Sequence, residues 1–522
     1  MHNLDNLKKI YAKHAPFDVD ADWSFLDKNR KEIIKRMIKV ADIIDNIYWK
    51  QSAHDAIDWR KRYLNPKTDE EKLIHDLIEM NCGPYDRLDY YNAFIGDKPK
   101  RFAGAGFYPE DLTQKEFEDH VKAHPEKKEL FESQFTVIKR KGGKLEAVQY
   151  HDEYKVEVTE AAKLLKEASA FAEEPTLKTY LLQRAEDLLT DNYYKSDCAW
   201  IDLKDPYIDV VIGPYEVYAD NLMGVKAGYE AVVMIKNQEE TKKLDMYLDL
   251  IDEFEQCLPI EDKYKKKGSG KMDTPMIVVD SLYRGGEARR AMQFAAFSLP
   301  NDPKVTSEKG SKKVMHRNFM TARFNKIISP ISKYFLSNDL HQYLDSNCNT
   351  DFVVGHEIAH SLGPRFVYGT HDTVNIALKD HYSALEELRA NVLSVYLQNY
   401  LLDKGYIKNR TRESMYTSFM ASELRTLRMG HGAYSTAARI NFNFINEKGG
   451  FVWENDRIKI NFKTFGEALN QLSREVSVIE AEGNYERATD LVNKYNITTE
   501  FTEPLMQDIP NIPADLWANY KI

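Results

Sequence analysis

Cysteine is scarce in this chain: four residues, Cys82, Cys198, Cys257 and Cys348, in 522 positions. They lie far apart and form no CxxC pair, which excludes a disulfide framework and a cysteine-built zinc ribbon. Isolated thiols suit a reducing compartment, so a cytoplasmic location is the expectation. No apolar run approaches the ~18 residues of a membrane span, and Met1 to Asp20 holds no apolar signal segment. A membrane partner is therefore not expected. There is no excess of basic residues either. The net charge of −10 argues against nucleic acid as a main partner. Internal repeats and long low-complexity stretches are also missing.

What is present is a globular composition, 43% apolar, enough to build a sizeable core. The length allows two to four domains. Residues 24–80 show helical periodicity with many charges and read as a set of surface-packed helices. Around 134–151 two alternating runs flank Lys141-Gly142-Gly143-Lys144, a hairpin signal. Helical stretches follow at 158–172 and 176–190. Tyr207 to Ile212, Tyr229 to Ile235 and Met276 to Asp280 are β-branched or apolar and read as strands, so the middle of the chain carries a sheet. Asn237 to Cys257 is helical. Lys263 to Lys271 is a charged, glycine-containing linker. Its GSGK lacks the upstream glycine of a phosphate loop, and Met272 stands where Ser or Thr is needed. Beyond 318 the pattern is mostly helical to Tyr495. Pro504, Pro510 and Pro513 then mark an extended tail packed on a neighbouring domain.

The most informative residues are His356-Glu357-Ile358-Ala359-His360. On a helix the two histidines project from one face, a spacing suited to two imidazole ligands of one zinc ion. Glu357, beside the first histidine, is placed to take a proton from a metal-bound water. The preceding Phe352 to Gly355 are apolar or small, so the segment is expected to be buried, where a polar pair needs partners. Gly363-Pro364 ends the helix.

Two histidines leave a catalytic zinc one protein ligand short. The candidate is Glu387, in Glu386-Glu387-Leu388-Arg389-Ala390-Asn391. Leu385, Leu388, Val392 and Val395 form an apolar stripe, with Glu387 and Asn391 on another face of the same helix. Ser383-x-x-Glu386 fits a capping box, which would occupy Glu386 and leave Glu387 for the metal. Asn391, one turn on, could accept an N–H from a ligand histidine and fix its tautomer, less strongly than an acid would.

These two runs together resemble the dipeptidyl peptidase III family, which pairs an HExxGH helix with a downstream EExRAE helix. The resemblance implies His356, His360 and Glu387 as ligands of one zinc ion, Glu357 as general base and Glu386 as a support for the ligands. Ile212-Gly213-Pro214-Tyr215-Glu216-Val217-Tyr218-Ala219-Asp220, followed by Gly224 and Tyr229-Glu230, is similar to the family's GxxExYxD segment. By that likeness Glu216 holds a substrate's free amino terminus and Tyr218 helps stabilise the tetrahedral intermediate. Arg428-Met429-Gly430-His431 is a looser match and makes His431 a candidate for assistance at the transition state. Asn81 to Asp89, and Gly285-Gly286-Glu287 to Pro300-Asn301-Asp302, are similar to a bacterial branch of the family. They make Asn301 a substrate-binding candidate. No Nudix pattern accompanies them. Two departures stand out: the pentapeptide HEIAH replaces the family's hexapeptide, and Asn391 replaces its last glutamate.

The resemblance implies an α+β, mostly helical fold of two lobes around a cleft. One lobe, residues 1–235 with about 276–315, has a β-barrel-like core and anchors substrate. The other, 236–275 with about 316–505, is helical and binds zinc; 506–522 is a tail. The expected activity is a zinc exopeptidase releasing dipeptides from the amino end of oligopeptides. The rival expectations are another HExxH-plus-Glu peptidase of the aminopeptidase type, for which no GxMEN-like loop is present, and a weakly active or inactive peptide-binding relative. Oligomeric state is not legible.

Overall fold

The computed structural model describes residues 3–204, 206–266, 275–428, 432–507, 509 and 511–521. The chain divides into two compact units: Met1–Thr241 with Thr274–Phe319 and Asp515–Ile522, and Lys242–Asp273 with Met320–Ala514. The fold is α+β and mostly helical, and its main sheet curls into a half-barrel.

The first unit is built on that sheet. Its strands are β1 (Ile208–Glu216), β2 (Gly228–Lys236), β3 (Met276–Gly286), β4 (Ala296–Leu299) and β5 (Lys312–His316), in the order β1-β2-β3-β5-β4. Pairing is antiparallel except between β3 and β5. β1 and β2 are buried on both faces over almost their whole length, so they read as continuous apolar runs rather than as alternation. β4 and β5 escape a sequence reading because they are short and carry polar residues.

Helix α1 (Lys28–Ser52) covers this sheet. It starts at Asp27, whose Oδ1 accepts the Arg30 N–H at 2.8 Å. Its many charges suggest a surface helix, but the structure places it in the core. Ile33, Ile34, Met37, Val40, Ala41, Ile44, Ile47 and Tyr48 are all buried. The charges crowd its first turns, while the apolar residues behind them fill more than one face. The approach to β3 is very close: a Cβ on Gly285 would lie 2.1 Å from the Ala41 carbonyl oxygen. Next door, the Gly286 N–H donates to Asp45 Oδ1 of α1 at 3.1 Å.

The β1–β2 connection is organised by two buried side chains. Asp220 Oδ1 accepts the backbone N–H groups of Leu222 and Met223, and its Oδ2 accepts those of Val225 and Lys226 and the Tyr108 hydroxyl, at 2.8–3.1 Å. Lys226 Nζ donates to the carbonyls of Phe131 and Ser133 and to Thr136 Oγ1 at 2.6–2.8 Å. The loop backbone is thereby satisfied internally, and Tyr218 at its start is left pointing into solvent, 69% exposed.

The second unit is a helical assembly of α2 (Ser346–Ala359), α3 (Tyr382–Asp403), α4 (Arg412–Leu427), α5 (Ala433–Glu447) and α6 (Phe462–Glu482). Helix α2 packs along α3 and against α4, and α3 packs against α5 and α6. The stripe Leu385, Leu388, Val392 and Val395 is fully buried. A small hairpin, Phe451–Glu454 with Arg457–Ile460, interrupts the helical run. The end of the chain is not merely an extended tail: Asp515–Tyr520 pairs in parallel with His14–Val19 of the first unit. No helix among the described residues is long and apolar enough to cross a membrane. The linker expected at Lys263 to Lys271 lies, from residue 267 onward, outside the described residues.

Substituting Gly285→Ala forces the new Cβ against backbone rather than a movable side chain. It should cost about 2 kcal/mol or more, read as a lowered denaturant midpoint; an unchanged midpoint would show that α1 and β3 are not held this close.

Candidate metal centre and carboxylate cluster

Helix α2 begins at Asp345, whose Oδ1 accepts the Asn347 N–H at 2.8 Å, and ends at Ala359 with His360 as its last capping residue. Its neighbour α3 can lie close because residue 355 is glycine: a Cβ there would meet Ser394 Oγ at 2.5 Å. The Ser394 hydroxyl instead donates to the Phe352 carbonyl at 2.7 Å. This contact brings the glutamates of α3 opposite the histidines of α2.

Among the described residues one cluster has the make-up of a metal site, His356, His360 and Glu387, with one donor atom from each within 4.8 Å of the others. The His356 and His360 Nε2 atoms are 3.0 Å apart. Glu387 Oε2 lies 3.3 Å from His356 Nε2 and 3.9 Å from His360 Nε2. This oxygen is buried and receives no hydrogen bond.

The outer ring nitrogens explain why. His360 Nδ1 faces Glu386 Oε1 at 2.8 Å, and His356 Nδ1 faces Asn391 Oδ1 at 2.9 Å. Both partners are acceptors, so both Nδ1 atoms carry hydrogen and both Nε2 atoms of neutral rings present lone pairs. Two lone pairs and a carboxylate oxygen then converge on one point. Such a trio needs a cation between its members, either a ring proton or a metal ion. The residues fit a metal of the zinc type by donor set and by the orphaned oxygen. Burial pulls the His356 pKa down, but the carboxylates of Glu387 and Glu357 and the Asn391 amide outweigh it and hold the pKa above the ordinary value. Glu357, half-buried on α2, thus acts electrostatically on its neighbour.

Glu386 does not cap its helix. Helix α3 follows a short 3₁₀ turn, Lys379–His381, and Ser383 lies inside it rather than at its N-cap. The capping-box expectation therefore fails. Glu386 is held by the metal-site neighbours instead: it accepts from His360 and from Arg389 Nη2 and Nε at 2.6–3.0 Å. Burial raises the Glu386 pKa, but the Arg389 guanidinium and His360 win and hold it well below the usual carboxylate range. Arg389 Nη1 also donates to the carbonyls of Ala359 and Leu362 at 3.1 Å, closing the C-terminal end of α2. Its Nε pairs with Glu480 of α6 at 2.6 Å.

In the first unit, β1 ends at Glu216, next to a register irregularity between Pro214 and Glu216. Asn301 Nδ2 donates to Glu216 Oε1 at 3.3 Å and to the Tyr215 carbonyl at 3.1 Å. Burial raises the Glu216 pKa; the Asn301 amide lowers it and Glu287 raises it further. Glu230 of β2 is buried, and its register partners on both sides are glycines, Gly213 and Gly286. Burial, then the nearby carboxylates of Glu216 and Glu287, push Glu230 up to about 8, against Arg284. Glu287 is itself paired with Arg87 at 2.7 Å.

The structure thus brings together His356, His360, Glu387, Glu386 and Asn391 in one unit, and Glu216 and Asn301 in the other, with Tyr218 two residues beyond Glu216. His431 lies outside the described residues. Sequence reasoning missed Glu480, Glu230, Glu287 and the loop-building role of Asp220. Glu480 left one usable signal: it is an acid among the apolar positions Val476, Ile479 and Ala481 of a buried helix face.

Comparison with known proteins bears on family and fold. The profile of peptidase family M49 matches residues 110–390. A structure of DPP III from Caldithrix abyssi is 36% identical, covers 98% of this chain and 99% of that chain, and superposes with a TM-score of 0.93. The dipeptidyl-peptidase III of Corallococcus sp. strain EGB is 31% identical over 99% of this chain and 97% of its own, with a TM-score of 0.82. Nudix hydrolase 3 of Arabidopsis thaliana is 28% identical over 576 residues, which span 99% of this chain and 74% of that protein. The chain belongs to peptidase family M49 and is a peptidase of the dipeptidyl-peptidase III type.

Proposed function

We propose that this protein is a zinc-dependent exopeptidase that releases dipeptides from the amino end of oligopeptides. The observation that carries the reading is the convergence of His356 Nε2, His360 Nε2 and the unbonded Glu387 Oε2 on one point. These three atoms would hold the metal, with Glu386 and Asn391 fixing the two imidazole tautomers from behind. Bound there, zinc would supply a Lewis acid and a water of lowered pKa.

The chain's own groups do the rest. Glu357 takes the water's proton and delivers it to the leaving amine. Tyr218, an exposed phenol, donates a hydrogen bond to the oxyanion of the tetrahedral intermediate. Glu216, with Asn301 orienting its Oε1, pairs with the substrate's α-ammonium. That ion pair counts residues from the amino end and selects exopeptidase over endopeptidase cleavage. An ammonium is a natural guest for a place where, on top of burial, Glu287 raises the Glu216 pKa and Glu216 and Glu287 raise that of Glu230.

Product analysis on an unblocked pentapeptide tests the reading. Dipeptide release is expected; release of single amino acids would instead indicate an aminopeptidase. No turnover by fully zinc-loaded protein would leave a peptide-binding relative. Glu357→Ala should retain zinc by mass spectrometry and lose at least about 10²-fold in kcat. Activity in that variant would overturn the assigned base.

Glu216→Gln should lower kcat/KM by about 10–100-fold for peptides with a free amino terminus, the worth of one charge-assisted contact. Acetylating the substrate's amino terminus should cause a similar loss in the wild type and little further loss in the variant. Additive losses would show that Glu216 does not read the ammonium.

Glu230 also makes a pH prediction. Its folded pKa, about 8, lies above the ordinary carboxylate value. The native state therefore holds the proton more tightly, and stability falls as pH rises through the window between those values. Glu230→Gln removes that term. The variant's thermal midpoint relative to wild type should rise between about pH 4.5 and pH 8; a pH-independent difference would show that Glu230 is already ionised at neutrality.

A further inference from the structure

Asn391 presents a problem that the family's glutamate would not. A carboxylate can only accept from His356 Nδ1–H, whereas a carboxamide can turn over and offer its NH₂ instead. In the flipped state His356 would have to accept at Nδ1 and carry its hydrogen on Nε2, where a metal needs the lone pair. Something must hold the amide in one orientation.

Behind Asn391 lies Glu423 of α4, 3% exposed. Asn391 Nδ2 donates to Glu423 Oε1 at 3.5 Å, the long limit of such a contact, and Asn441 Nδ2 of α5 donates to Glu423 Oε2 at 3.3 Å. Both carboxyl oxygens therefore face amide donors. Turning Asn391 over would set its carbonyl oxygen against Glu423 Oε1 in a buried site and strand its NH₂ beside His356 Nδ1–H. Two like-polarity contacts would replace two hydrogen bonds, a costly exchange at this depth.

We propose that Glu423 is a positioning residue for the metal centre: it orients Asn391 through the Nδ2 contact, so that the Asn391 carbonyl fixes His356 with its Nε2 lone pair toward Glu387. The inference rests on the zinc reading above. It amounts to a carboxylate moved one residue outward, acting through an amide that relays the polarity.

The test is zinc affinity, measured by competition with a chromophoric chelator using zinc alone. Glu423→Gln gives residue 423 one donor end and one acceptor end, while both neighbours still donate. One neighbour must turn over, and this variant serves as the background for the pair that follows. The double variant N391D/E423Q restores a matched pattern with the polarity of the 391–423 contact reversed. The new carboxylate at position 391 can only accept, the new amide at position 423 donates to it, and Asn441 still donates to that amide's oxygen. The double variant should bind zinc within a few-fold of the wild type. Asn391→Asp alone sets two carboxylates face to face and should bind zinc less tightly than the double variant, a comparison that holds even if E423Q folds poorly. A double variant that binds zinc no more tightly than N391D would overturn the positioning role while leaving the metal centre standing. Failure of the wild type itself to bind zinc would overturn the metal reading instead.

Discussion

The close contact of two antiparallel helices, Ser346–Ala359 and Tyr382–Asp403, is the constraint on which the candidate metal centre depends. It exists because residue 355 has no side chain and Ser394 is small enough to fill the space beneath it. Ridges of small residues let helix backbones approach, and only at this separation can imidazoles from one helix meet carboxylates from the other. Arg389 fixes the axial register. Its guanidinium grips Glu386 on its own helix and the last carbonyls of the neighbouring one, Ala359 and Leu362. A slide of one turn along either helix would break these bonds and separate His360 from Glu386 together.

That register has an electrostatic consequence. Arg389 is buried and faces two carboxylates, Glu386 and Glu480. One cation cannot fully balance two buried anions. Burial, with Glu386 adding to it, pushes the Glu480 acid up, while Arg389 opposes the rise. Glu386 is held ionised and can accept from His360. The Glu386 charge beside His360 is thus held by Arg389, a cation shared with Glu480 on a third helix.

Legibility in the sequence follows locality. The metal pattern is readable because His356 and His360 are one turn apart and Glu387 belongs to a second local pattern on one helix. The strands β1 to β3 are readable because buried β-branched runs are unambiguous at that length. Helix α1 reads as a surface helix because charge in its first turns masks an apolar body, and burial is decided by the sheet it meets. The strand pair of His14–Val19 with Asp515–Tyr520 is invisible, since its partners are separated by almost the whole chain. The same holds for the partners of Glu423, Glu480 and Glu230. Each is a single acid on an otherwise apolar face, and its meaning comes entirely from partners on other elements. The capping box at Ser383 shows the converse failure: a valid local pattern is lost because Glu386 has stronger partners in the tertiary structure than a helix end could offer.

A common logic governs which carboxylate in each unit is left available. In the helical unit Glu386 is saturated by Arg389 and His360, whereas Glu387, one position on, has a buried oxygen with no hydrogen bond. In the sheet unit Glu287 Oε1 is paired with Arg87 and Glu230 is pushed toward its neutral form by burial, whereas Glu216 Oε1 accepts a neutral amide, that of Asn301. An isolated buried carboxylate would simply take up a proton, and a fully paired one would have nothing to offer a cation. Placing a satisfied acid beside an unsatisfied one avoids both outcomes. The satisfied acid fixes local geometry, and the unsatisfied one retains an unmet electrostatic demand. In the helical unit the donor set fits a metal ion; in the sheet unit, where an amide shares the carboxylate, the demand fits the substrate ammonium proposed above.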